Sequence, residues 1–130
     1  MTKKIPKWVS DYINIPFDTC NCWQLVCKIY KEQFNKIIPT YKDEYKNSID
    51  KKNIKKIYDR ELQIWKRLNM PEFGCVVVCT IRNQPWHAGI VVSRDSMLHT
   101  EKDLYSVIER FNGFIWKNKI IGFYRYTENG

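Results

Sequence analysis

The chain has no apolar run long enough to cross a bilayer, which argues against membrane insertion. Its start, MTKKIPKWVSDY, has basic residues but no apolar stretch behind them, so it does not read as a signal peptide. The expected setting is a particle into which the chain assembles, or else the cytoplasm. There is no internal repeat, no low-complexity tract and no domain boundary. One domain over residues 19–130, behind a basic arm and entry segment over 1–18, is therefore expected. The five cysteines, Cys20, Cys22, Cys27, Cys75 and Cys79, are odd in number and show no small-disulfide-domain spacing. A reducing compartment during folding follows as the simpler setting. Cys-x-Cys and Cys-x3-Cys are not the paired knuckles of structural zinc, so no zinc site is expected. No RRM, zinc-finger or basic-helix signature accompanies the net charge of +8. That charge reads as a lysine-rich solvated surface, attractive to an anionic polymer or an acidic partner but not specific for nucleic acid.

What is present is an ordered change of hydrophobic period. Asp18, Thr19 and Asn21 offer N-cap side chains before an apolar pattern. From Cys22 onward Trp23, Val26, Tyr30 and Phe34 recur at helical spacing, with Lys28, Lys31, Glu32 and Lys36 mostly opposite, and Pro39 is expected to end the helix. A second apolar stripe, Ile54, Ile57, Tyr58, Leu62, Trp65 and Leu68, predicts another helix, closed by Asn69, Pro71 and Gly74. The period then shortens. CVVVCTI, a turn at RNQP, and HAGIVVS predict a hairpin; SMLHT and IIGFYRY predict further strands, and LYSVIER suits strand or helix. Helices first and an antiparallel sheet afterwards define an α+β class.

Histidine is scarce, and its placing matters. The only two, His87 and His99, fall in adjacent expected strands that follow a cysteine-headed helix. The first turn of a helix has unpaired N–H groups and the positive end of the macrodipole, which favour a thiolate. Cys22 sits there, whereas Cys20 precedes the helix and Cys27 lies more than a turn inside, where a cysteine is usually a small buried hydrophobe. His87 can face the thiol while His99 holds its other ring nitrogen, an arrangement suited to acyl transfer through a thioester. Cys75 and Cys79 would share one strand face and read as core.

The stretches NCWQLVCKIYKEQFNKIIPTY, PEFGCVVVCTI, HAGIVV, MLHT and IIGFYRY together resemble, in this order, the NlpC-type papain-like cysteine peptidases, in particular the short forms of phage tails. The resemblance runs from about Tyr12 to Tyr126. It implies a papain-like α+β fold with N-terminal helices packed on the sheet. It also implies Cys22 as nucleophile, His87 as base and then acid, and His99 as orienting residue. The implied reaction is hydrolysis of amide bonds in peptidoglycan stem peptides, commonly between D-glutamate and the adjacent diamino acid, without cofactor. Other phage tail proteins are the implied partners and the virion tail the implied location. The family's Asp before the nucleophile is Asn21 here, the small residue after the Trp is Gln24, and its strand Asp is Cys75. Asn21 and Trp23, flanking the nucleophile, are candidate substrate-binding or oxyanion residues. The family's upstream tyrosine corresponds to Tyr12, or else its place is taken by Phe17, which lacks a hydroxyl. Two other functions stay open: a structural tail or tail-tip protein that keeps the fold, and another thiol acyl-transfer enzyme such as an amidase or transferase.

Overall fold

A computed structural model of the chain describes residues 5–16, 20–39, 60, 65–81, 84–101 and 104–127. The elements run as a 3-10 helix Lys7–Tyr12, helix α1 Cys22–Gln33, and strands β1 Trp65–Leu68, β2 Val76–Ile81, β3 Gln84–Ser93, β4 Ser96–His99, β5 Val107–Arg110 and β6 Ile120–Tyr126. The strands form one antiparallel sheet in the order β1-β6-β2-β3-β4-β5. This is the expected α+β class. Phe17, Asp18 and Thr19 lie outside the described residues, as do Ile54, Ile57, Tyr58 and Leu62 of the second apolar stripe.

Helix α1 starts where its sequence can satisfy the orphan donors of a first turn. The Asn21 side chain accepts from the Gln24 N–H at 2.9 Å, and Gln24 Oε1 accepts from the Asn21 N–H at 2.8 Å. This reciprocal capping box fixes Cys22 as the first helical residue. The helix stops earlier than Pro39. Asn35 takes a left-handed φ of 55°, and the Lys36 N–H returns to the Tyr30 carbonyl at 3.0 Å. Asparagine tolerates that conformation at a helix end, so the stop comes several residues before the proline. Leu25, Val26, Ile29 and Tyr30 face the sheet, while Lys28 and Glu32 pair on the exposed side at 3.0 Å.

The alternation of β2 and β3 divides the interior in two. Val76, Val78, Ala88, Ile90 and Val92 join α1, Val9 and Tyr12 on one face of the sheet. Cys75, Val77, Cys79 and Val91 point to the other, where Met97, Phe111 and Trp116 close a smaller core. Each fully buried Val, Leu or Ile in these layers stabilises the fold by about 1.5–3 kcal/mol relative to exposure. Cys75 and Cys79 are core residues, as the strand spacing suggests.

Two boundaries differ from the sequence pattern. Trp65–Leu68 is a strand and not a helix end. It pairs with β6, Trp65 opposite Tyr126, and the buried Trp65 ring meets Trp23, Tyr30 and Tyr126 edge-on. WKRL is too short for its period to decide, and the free edge of β6 offers hydrogen bonds that a helix could not use. Strand β3 begins at Gln84, earlier than HAGIVVS, because the pairing of β2 continues to Ile81 opposite Gln84.

Candidate active site

Cys22 and His87 stand on two elements that pack on one another, α1 and β3. The backbone N–H groups of Ala88, Trp23 and Cys22 itself act on the Cys22 sulfur and favour its thiolate, but burial outweighs them and pushes the thiol up. Ala88 directly follows His87. A charge on the Cys22 sulfur would raise Cys79, the cross-strand partner of His87, and Cys20 opposes a charge on Cys22 itself. The other thiols are not activated either. Burial raises Cys20, and pushes Cys27 and Cys79 up to about 12 and Cys75 to about 11.

The imidazoles lie on the face of the sheet opposite the main core, against Trp116. His87 Nε2 and His99 Nδ1 are 2.8 Å apart, and His99 Nε2 is 2.8 Å from Glu109 Oε1. The indole N–H of Trp116 donates to the same Glu109 oxygen at 2.9 Å. The Trp116 ring stacks on His87 at 5.0 Å and 12°, and stands edge-on to His99. His87, His99 and Glu109 occupy three successive strands, β3, β4 and β5, and step diagonally across one face. Diagonal neighbours on adjacent strands are within reach of long side chains. Close approach of β3 to β4 is possible because residue 89 is glycine. A Cβ there would lie 3.1 Å from the His99 Cβ and 3.1 Å from the Leu98 carbonyl oxygen.

Electrostatics make the resting pair neutral. Burial, and then His99, lower His87 to about 3. His99 is also lowered by burial, with Glu109 and Glu101 pulling the other way. The positive end of the helix, expected to favour a thiolate, is therefore overridden by burial: the site holds a thiol and two neutral imidazoles. Ligand atoms of His87, His99 and Glu101 lie within 4.8 Å of one another. The facing imidazole nitrogens, however, stand at hydrogen-bond distance, and two nitrogens on one tetrahedral zinc stand about 3.3 Å apart.

The remaining sequence candidates go elsewhere. The Tyr12 hydroxyl donates to Glu32 at 2.7 Å and accepts from Gln33 at 2.9 Å. Ten residues of helix, about 15 Å, separate that end of α1 from Cys22, so the Tyr12 hydroxyl is not brought to Cys22 and ties the 3-10 helix to the end of α1. Asn21 uses its side chain as the cap. Trp23 donates its indole N–H to the Pro39 carbonyl at 2.8 Å and packs on Trp65, so near the sulfur it contributes a backbone N–H. Sequence reasoning missed Glu109 and Trp116. The usable signal was alternation in VIER, which puts Glu109 on the face opposite Ile108.

A model of the NlpC/P60 family matches residues 14–125, most of the chain. The protein belongs to the NlpC/P60 family, which is in general one of cysteine peptidases acting on peptidoglycan peptides. Among solved structures, it is similar to a protein of Staphylococcus aureus subsp. aureus Mu50 described as similar to lipoprotein, NLP/P60 family. The TM-score is 0.64 at 12% identity, over 93% of this chain and 39% of that one. The chain thus spans about two fifths of that structure's length, and the likeness is one of fold. No curated protein matches by sequence.

Proposed function

We propose that this protein is a cysteine endopeptidase that hydrolyses amide bonds in peptidoglycan stem peptides. The observation that carries this reading is the placing of Cys22 as first residue of α1, its sulfur held by the N–H next to His87, whose ring is in turn held by His99. His87 takes the thiol proton as the sulfur attacks the substrate carbonyl. The N–H groups of the first helical turn are the proposed donors to the tetrahedral oxyanion. Collapse expels the amine, which receives the proton from His87, and leaves an acyl thioester; water then attacks with His87 again as base. Because the resting pair is neutral, proton transfer belongs to the attack step rather than preceding it. The bond between D-glutamate and the adjacent diamino acid is the proposed target. A phage tail that carries the enzyme to the wall is the proposed setting, with other tail proteins as partners; the support for both is the resemblance of the sequence stretches.

The test is release of new amine termini from purified peptidoglycan. Wild type is expected to release them, and Cys22→Ala and His87→Ala to lose at least about 10³-fold in rate with an unchanged circular dichroism spectrum. Equal trace release by wild type and Cys22→Ala would leave the fold as a scaffold.

A further inference from the structure

We propose that Glu109 is a positioning residue of this site: through His99 it sets which ring nitrogen of His87 carries the proton, and so which one can serve the thiol. The inference rests on the assignment of Cys22 and His87 just given, and extends it along the sheet.

The protonation pattern follows from the far end of the chain of contacts. An indole N–H can only donate, and a carboxylate only accept. Glu109 Oε1 therefore accepts from Trp116 at 2.9 Å and from His99 Nε2–H at 2.8 Å. A neutral imidazole with its proton on Nε2 presents a lone pair on Nδ1. At 2.8 Å from His99 Nδ1, His87 Nε2 must then be the donor. His87 is left with its lone pair on Nδ1, the form in which it can take a proton from sulfur. Had Glu109 been absent, either tautomer of the pair would satisfy the single His87–His99 hydrogen bond. In one of them His87 would hold its proton on Nδ1 and could not act as base.

Trp116 makes the carboxylate dependable. Its N–H holds the accepting oxygen, while its ring lies flat on His87 and edge-on to His99. Trp116 is 3% exposed, so the group that anchors Glu109 also covers the imidazoles from one side. Glu101 acts on His99 electrostatically but has no hydrogen bond to either ring among the described residues.

Long-range ¹H–¹⁵N spectra of the full chain labelled in histidine decide the matter, since there are only two histidines to assign. In wild type, both rings are expected in the Nε2–H form. Glu109→Ala is expected to give mixed tautomers at both rings and to lower kcat by about 10²-fold or more, with KM little changed. Glu109→Gln keeps an oxygen able to accept both hydrogen bonds, so it is expected to restore the Nε2–H pattern and most of the lost kcat. A purely structural role would instead lower the melting temperature of both variants together and leave the tautomers of the folded fraction alone. An Nδ1–H signal for either histidine in wild type, or unchanged tautomers in Glu109→Ala, would overturn the proposal. The spectra need no substrate, so they decide it even if the wild-type protein fails to cleave wall peptides and the peptidase reading falls.

Discussion

At the scale of single residues, the site is a contest between burial and directed donors. Three N–H groups favour the Cys22 thiolate, yet the sulfur's loss of water is larger and leaves the thiol up. Alkylation of Cys22 by iodoacetamide is therefore expected to keep accelerating as pH rises from 7 to 9; a rate already level at pH 7 would show a standing thiolate. His87 gives a second consequence, in stability. Its folded value is lowered to about 3 against an ordinary 6.5, so the unfolded chain binds the proton more readily. The neutral ring's contribution is fully present above about pH 6.5 and drains away as pH falls toward 3. From pH 7 to pH 5 the loss is about 2 kcal/mol from this residue, with His99 adding in the same direction. Urea unfolding at the two pH values is expected to show the drop, and His87→Gln to flatten it.

At the scale of elements, caps and close approaches hold the site. Replacing Asn21 by Ala removes half of the capping box and is expected to cost about 1 kcal/mol, read as a lower urea midpoint. It also loosens the turn that carries Cys22, so turnover should fall with it. Gly89 makes a sharper case. A methyl group there meets backbone and Cβ atoms of β4, so Gly89→Ala is expected to separate β3 from β4 and move His99 off His87. Its signature is a large loss of turnover with stability reduced by about 1–3 kcal/mol. The helix carrying Cys22 and the order of histidine-bearing strands were legible in the chain, because capping residues and alternation are local signals. The stop at Asn35 was obscured by a proline farther on. Strand β1 was obscured because four residues satisfy either period and only the neighbouring β6 selects one. Glu109 was legible only in part: alternation in VIER sets it on the face opposite Ile108, but a lone acidic residue in a four-residue strand looks like surface until the register with β4 is known.

At the scale of the whole molecule, the sheet is buried on both faces by unequal cores, and the imidazoles use the smaller one. No helix among the described residues is long and apolar enough to cross a membrane. The net charge of +8 acts at a distance that salt shortens, with screening over about 8 Å at physiological ionic strength. Digestion of insoluble walls bearing anionic polymers is expected to slow as salt rises, while hydrolysis of a soluble neutral stem peptide should not.

Glu109 stands on β5, the last strand in the order of the sheet, which among the described residues is paired with another strand on one side only. A border ribbon frays before the middle of a sheet melts. Gentle warming would then unhook the last link of the proton-bearing chain while the bulk of the protein stays folded, so activity would vanish several degrees below the calorimetric transition, and return on cooling.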